Sequence, residues 1–162
     1  MISNSRAAYH LHDHRRCVGA ALAEARHRCA AARARLTPIR EAVLRLIWES
    51  HRPVGAYQIL RELPRHLGRS VQPPTVYRAI DFLVELGLVH RIATLNAYLG
   101  CPFPGREHSE LFLICNQCGA TAEVGDEALN AALAETVRKA GFRHHSQRIE
   151  ITGLCPACAE QS

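Results

Sequence analysis

The chain has 162 residues, 48% of them hydrophobic, and a formal net charge of +5 at neutral pH. That length allows one or two compact domains and excludes two large ones. No stretch approaches the roughly 18 consecutive apolar residues of a membrane span, and residues 1–17 lack the apolar run of a signal peptide. We therefore expect a soluble, cytoplasmic protein with no membrane partner.

The positive charge is concentrated in the first part of the chain. Residues 1–91 hold 15 Lys and Arg against 7 Asp and Glu, a net charge of +8, whereas residues 92–162 hold 5 against 8, a net charge of −3. A basic segment followed by an acidic one suggests a nucleic-acid-binding module in the first half. Charge alone leaves open a merely solvated, arginine-rich helix.

Two helices are predicted at the start of the chain. Residues 18–35 are rich in Ala and Arg, which favour helix, and would present a basic face. Thr37-Pro38 then begins a second helix, because Thr is a good N-cap and Pro is tolerated in the first turn. Apolar residues follow at helical spacing as far as Ser50.

Two further helices and a hairpin follow. A turn at residues 51–55 precedes a short third helix, and a fourth begins at Pro73 and is terminated by Gly87. Residues 88–92 and 97–99 then read as short strands around a turn. Helices followed by a recognition helix and a hairpin wing make a winged helix-turn-helix.

The predicted fold is therefore α+β, with two domains. Residues 1–99 form the winged helix-turn-helix domain, with residues 1–16 as a flexible tail, and the Pro/Gly-rich residues 100–106 form a hinge. Residues 107–162 form a small α/β dimerisation and metal-binding domain. Its predicted elements are strands at 111–114, 121–124 and 148–154 and a helix at 126–140. The apolar stripe of this helix suits a core or a dimer interface.

Two CxxC pairs, separated by about 36 residues, indicate a metal site in the second domain. Seven cysteines in a reducing compartment favour ligands over disulfides. Each CxxC turn directs two thiolates at one ion, so the pairs together supply the closed tetrahedral shell of a structural zinc. A redox CxxC would need only one pair. The four predicted ligands are Cys115, Cys118, Cys155 and Cys158.

Four further potential ligands surround the predicted hinge, namely His90, Cys101, His108 and Glu123. Each alone has an ordinary alternative: a wing histidine contacts phosphate, a single cysteine packs as a small hydrophobe, and a strand glutamate faces water. A metal bound by all four would fix the orientation of the two domains. One thiolate, two imidazoles and one carboxylate suit Zn²⁺ and disfavour a hard iron site.

Several motifs resemble the ferric uptake regulator family, and most closely its zinc-uptake branch. The resemblance covers about residues 22–158 and is carried by RLTPIR at 35–40, PPTVYRAIDFL at 73–83, CNQCG at 115–119 and GLCPAC at 153–158. It implies that His90, Cys101, His108 and Glu123 form a regulatory zinc site and that the four cysteines form a structural one. Two zinc ions per subunit are thus expected.

The resemblance also implies a DNA-binding homodimer. The family's recognition-helix Tyr and Arg fall on Tyr77 and Arg78, whose helix face suits a thymine methyl and a purine edge. Thr75 and Arg35 complete the expected DNA contacts. Zinc would act as co-repressor of zinc-uptake genes at a palindromic, double-stranded operator, with no small-molecule substrate.

Departures from the family pattern limit the number of metal sites. Iron-sensing relatives carry histidines where this chain has Ser109-Glu110-Leu111 and Gln147, so a third site of their type is not expected. His144, His145 and the N-terminal His10, His12 and His14 are more typical of exposed loops and tails, and Cys17 and Cys29 are expected to be unliganded.

Two alternatives to a zinc regulator remain. An iron- or peroxide-responsive regulator of the same fold is disfavoured by Cys101 and the missing histidines. A zinc hydrolase would use His90, Cys101 and His108 with an open position and Glu123 as general base. Because no HExxH or deaminase-type HxE motif is present, we expect no enzyme activity.

Overall fold

The computed structural model describes residues 9, 13–105, 108, 110–143 and 145–161. They fall into two compact units. The first unit contains residues 13–105, and the second contains Tyr9, His108 and the described residues from 110 onward. Among the described residues, no helix has the length and apolarity needed to cross a bilayer.

Four helices form most of the first unit: α1 (His14–Ala31), α2 (Pro38–Trp48), α3 (Ala56–Leu67) and α4 (Pro73–Glu85). Side chains cap two of them, since the Asp13 carboxylate accepts a hydrogen bond from the Arg15 amide and the Thr37 hydroxyl accepts one from the Arg40 amide. Gly87 follows α4 with φ +66°, a conformation that suits glycine and ends the helix as predicted.

A small antiparallel sheet completes the first unit. Strands β2 (Val89–Ile92) and β3 (Ala97–Gly100) form the predicted wing, and Asn96 closes its turn at φ +45°. A two-residue strand, β1 (Val54–Gly55), pairs with β3 to give the order β1-β3-β2. β1 was not predicted, because residues 51–55 read as a turn.

The core of this unit lies between the helices and the sheet. The apolar stripe of α2 buries Val43, Leu44 and Ile47 almost completely, and α4 contributes Val76, Ile80 and Leu83. Because these apolar side chains of α4 face the core, the opposite side of the helix faces solvent.

The first helix differs from its prediction at both ends. It begins at His14 rather than Val18, so residues 14–16 are helical instead of belonging to a flexible tail. It ends at Ala31 rather than Arg35, because Arg33 adopts a φ of +51° that breaks the helix. Residues 1–8 and 10–12 of the predicted tail, including His10 and His12, lie outside the described residues.

The second unit is a three-stranded sheet with two helices. Strand β4 (Glu110–Cys115) is central, antiparallel to β5 (Thr121–Val124) and parallel to β6 (Arg148–Gly153). Helix α5 (Glu127–Lys139) connects β5 to β6, and the short α6 (Pro156–Ala159) follows. No residue of α5 is buried within the chain, so its apolar positions remain available to another surface.

Candidate metal centres and DNA-binding face

The four predicted structural ligands come together at one end of the second unit. Cys115 ends β4, Cys118 follows in the next turn, and Cys155 and Cys158 flank the start of α6. Their Sγ atoms all lie within 4.8 Å of one another, and Sγ of Cys118 lies 3.8 Å from Sγ of Cys155. These distances exceed a disulfide bond, so none of the four cysteines is joined to another by a disulfide.

Backbone geometry shapes this cluster, which we call the cysteine tetrad. Gly119 turns the chain at φ +73° and donates its amide to the Cys115 carbonyl at 2.9 Å. The Cys155 amide donates to Sγ of Cys115 at 3.3 Å. Hydrogen bonds from the backbone amides of Cys118 and Cys155 lower the pKa of the Cys115 thiol to about 6.

Cys158, in contrast to Cys115, favours the protonated state. Hydrogen bonding with Cys155, followed by burial, raises the pKa of Cys158 to about 12. The same site thus contains one thiol with a lowered pKa, Cys115, and one with a raised pKa, Cys158. Such a difference is expected when four thiols lie close together, because ionisation of one disfavours ionisation of the next. A divalent cation would relieve this repulsion, and four sulfur donors in a closed shell fit zinc.

Tyr9 packs beside the tetrad and was not predicted. Its hydroxyl donates to the Leu113 carbonyl at 2.9 Å, and its ring contacts the buried cysteines. Burial, followed by the charge of the neighbouring cysteines, raises the pKa of Tyr9 to about 12. No local sequence pattern signals a contact between residues this far apart.

In the first unit, His90 and Cys101 lie on the wing. His90 is on β2, and Cys101 follows β3, where its amide donates to the Leu88 carbonyl at 3.0 Å. Residues two apart on a strand share a face, so His90 and Cys101 are diagonal neighbours across the two strands. Both side chains are buried, and their ligand atoms lie within 4.8 Å of each other.

In the second unit, His108 and Glu123 form another pair of potential ligands. Nε2 of His108 lies 2.8 Å from Oε1 of Glu123, on β5, and the glutamate side chain has no exposed surface. A buried carboxylate needs a cation or hydrogen-bond donors around it. Each unit therefore carries two of the four predicted regulatory ligands, with His90, Cys101 and Glu123 buried and His108 half-buried.

The predicted DNA contacts lie on exposed surface of the first unit. Thr75, Tyr77 and Arg78 share the solvent side of α4, where 51% of Tyr77 is exposed. Arg35 lies in the loop before α2, and its carbonyl accepts a hydrogen bond from the Arg40 guanidinium. That guanidinium also stacks 3.3 Å above the Phe82 ring, which links this loop to α4.

Among the residues that the structure describes, Glu110, Leu111 and Gln147 belong to no group that could hold a metal ion. Gln147 instead donates to Asn130 at 3.3 Å. His145 is exposed, and it belongs to no metal-capable group among the residues that the structure describes. Ser109 and His144 lie outside those residues.

Comparison with known proteins agrees with this arrangement. The model of the ferric uptake regulator family matches residues 31–152. A zinc uptake regulation protein from Escherichia coli (strain K12) is 40% identical over 140 residues, which cover 86% of this chain and 81% of that protein.

Solved structures give the same result. A zinc uptake regulator complexed with zinc and DNA aligns with a TM-score of 0.81 at 35% identity, covering 93% of this chain and 98% of that one. Holo XcZur aligns with a TM-score of 0.76 at 39% identity, covering 88% and 99%. The chain belongs to the ferric uptake regulator family and most resembles its zinc uptake regulators.

Proposed function

We propose that this protein is a zinc-responsive, DNA-binding transcriptional regulator that represses zinc-uptake genes when it is loaded with zinc. It would act in the cytoplasm, as a homodimer on a palindromic operator. The observation that carries the proposal is the donor chemistry of two separate ligand groups, the cysteine tetrad and the four residues around the predicted hinge. The relatives named for zinc uptake and for a complex with zinc and DNA support it.

The exposed side of α4 would read DNA. An α-helix fits the major groove, and Arg78 has the two-pronged donor geometry that recognises guanine, while Tyr77 offers an apolar ring to a thymine methyl. The basic surface of α1, with Arg15 and Arg16 exposed, would contribute phosphate contacts. Affinity should therefore fall steeply with salt.

The tetrad would hold one zinc permanently. Its thiols come from the end of β4 and the start of α6, so shared coordination would tie the last segment of the chain to the sheet. Bound zinc supplies a positive charge that stabilises four adjacent thiolates, which otherwise repel one another. The tetrad is thus suited to stability rather than to sensing.

His90 and Cys101 together with His108 and Glu123 would hold the second, regulatory zinc of each chain. Ligands contributed by both units can select one relative orientation of the units, because the binding free energy favours the arrangement that brings them together. That orientation would set the spacing of two α4 helices in the dimer to successive major grooves. The exposed apolar positions of α5 would provide part of the dimer contact.

Operator binding by the full chain at buffered free Zn²⁺, Fe²⁺ and Mn²⁺ tests this function. We expect tight binding in Zn²⁺ at a concentration where the other ions have no effect, and loss of the zinc response in Cys101→Ser. Cys29→Ala, which changes a buried cysteine in the helical core, is the control and should respond normally. A normal zinc response in Cys101→Ser would contradict the regulatory assignment.

The alternatives predict different outcomes of the same titration. An iron-responsive regulator would bind the operator in Fe²⁺ rather than Zn²⁺, and a peroxide-responsive one would lose binding on oxidation. The hydrolase hypothesis conflicts with membership of a family of transcriptional regulators. It also gives no role to the exposed side of α4.

A further inference from the structure

A third cluster of metal-binding side chains lies in the first unit, away from the eight ligands already assigned. It consists of His14, Cys17 and His51, whose ligand atoms all lie within 4.8 Å of one another. All three side chains are half-buried. The two imidazole rings are 5.1 Å apart between centroids and inclined at 51°, so they do not stack face to face.

Two structural features bring these residues together. Asp13 caps α1, which places His14 and Cys17 three residues apart on one side of its first turn. His51 lies in the turn after α2, where Ser50 exchanges hydrogen bonds with the Arg52 backbone. The ligands therefore come from two elements that are distant in sequence.

We propose that His14, Cys17 and His51 form an additional site for a borderline divalent cation, with Zn²⁺ as the best-fitting ion. Two imidazoles and one thiolate match the preference of zinc for nitrogen and sulfur donors. Three protein ligands leave a fourth position to water, so this site is more open than the tetrad. This proposal differs from the sequence-based expectation that Cys17 is unliganded.

Occupancy of this site would clamp the first turn of α1 to the turn after α2. Further along α1, Leu22 and Ala25 are buried in the apolar core, and Arg26 forms an ion pair with Glu41 of α2 at 3.2 Å. Arg15 and Arg16 flank the site on the exposed surface of the same turn. The cation would thus order the basic end of α1, which the proposed function places near DNA.

Zinc stoichiometry and cysteine protection, measured on the full chain with Zn²⁺ alone, test this proposal. Native mass spectrometry should find one fewer zinc per chain in His51→Ala than in the unaltered protein. Alkylation mapped to individual cysteines should become slower at Cys17 when zinc is added, because a coordinated thiolate is not a free nucleophile. In His51→Ala, zinc should no longer slow alkylation at Cys17, while the tetrad remains protected.

The cysteine mapping separates this site from the other two. Cys101→Ser should lose a zinc yet keep zinc-dependent protection of Cys17, and Cys29→Ala should keep every zinc. Equal stoichiometry in His51→Ala and the unaltered protein would overturn the proposal. So would a rate of Cys17 alkylation in the unaltered protein that zinc does not change, a measurement that needs no variant to fold.

Discussion

His108 and Glu123 lie side by side in the second unit, with Nε2 of the imidazole 2.8 Å from Oε1 of the carboxylate. The glutamate side chain has no exposed surface, so a negative charge on it must be stabilised by neighbouring groups rather than by water. An imidazole can donate a hydrogen bond to the carboxylate, or both groups can bind a cation once the imidazole is neutral. The pair can therefore offer one imidazole nitrogen and one carboxylate oxygen to a bound cation.

Glu123→Gln tests the contribution of this carboxylate to sensing. The amide keeps the shape of the side chain but lacks the charge that favours a divalent cation. We expect the zinc-dependent gain in operator affinity, roughly 5- to 150-fold for typical allosteric couplings, to fall toward none. Fluorescence anisotropy of a labelled operator across buffered zinc concentrations measures it.

Glu127→Gln provides the matched control, because Glu127 is exposed in the first turn of α5. It should leave the zinc response unchanged. A Glu123→Gln variant that folds and responds to zinc at the original concentration would remove Glu123 from the regulatory site.

Local patterns predicted the elements whose signals are contained in a short stretch of sequence. The start of α4 at Pro73, its end at Gly87 and the two CxxC turns all depend on residues within a few positions of one another. Strand β1 has no such signal, since two residues define no periodicity and the strand exists only through its pairing with β3.

Contacts between residues that are distant in sequence could not be predicted for the sites. The contact of Tyr9 with the Leu113 carbonyl joins residues 104 positions apart, and His51 lies close to the start of α1 although it follows α2 in the chain. The first turn of α1 was assigned to a tail because its histidines and charges resembled disorder. The Asp13 cap, a local signal, could have revealed it.

Gly100→Ala should destabilise the first unit. A Cβ at this position would overlap the indole of Trp48, which packs against the core beside β3. Overpacking of this kind costs about 1–3 kcal/mol, because the ring or the strand must shift. Denaturant unfolding followed by the fluorescence of Trp48, the chain's single tryptophan, measures the loss.

Gly19→Ala is the matched substitution with open space around it. No atom lies within 4 Å of a Cβ built on Gly19, which lies inside α1. Alanine there should stabilise the helix by about 0.5–1 kcal/mol. If both variants changed stability in the same direction, the overlap with Trp48 would not be the cause of the Gly100 effect.

Tyr9→Phe should weaken the second unit and change its response to alkali. The variant lacks the hydroxyl that donates to the Leu113 carbonyl, a loss of about 0.5–1.5 kcal/mol in the free energy of unfolding. Because burial raises the pKa of Tyr9 from 10.0 to about 12, its contribution is fully present below pH 10 and is lost as the pH rises toward 12. Between pH 10.0 and about 12, thermal unfolding would show a flatter dependence of stability on pH for Tyr9→Phe than for the unaltered protein.

Tyr57→Phe is the corresponding control, because 78% of Tyr57 is exposed. It should leave both the stability at neutral pH and the alkaline profile unchanged. An identical profile for Tyr9→Phe and the unaltered protein would mean that Tyr9 does not pack beside the tetrad in solution.

Removing zinc from the tetrad should unfold the second unit. Structural zinc contributes about 10–16 kcal/mol of apparent binding free energy in small zinc-finger peptides, more than a unit of this size retains from packing alone. A strong chelator, or Cys118→Ser, should therefore abolish cooperative thermal unfolding of this unit, while Cys29→Ala should not. Retention of its hydrogen-exchange protection after complete zinc removal would show that the tetrad is dispensable for folding.

Arg78→Ala should weaken operator binding without affecting zinc content. If the guanidinium donates to a guanine edge, the variant loses about 1–3 kcal/mol and discriminates less at one base pair. If it contacts phosphate instead, affinity falls for all DNA sequences alike. The slope of log affinity against log salt concentration then decreases in magnitude by about one. Anisotropy titrations at several salt concentrations, on the operator and on single-base variants of it, distinguish the base contact from the phosphate contact.

Arg138→Ala provides the control. It removes a guanidinium that is paired with Glu135 on α5 in the second unit, and this variant should bind the operator as the unaltered protein does. Equal affinities for Arg78→Ala and Arg138→Ala would contradict the assignment of α4 as the recognition helix.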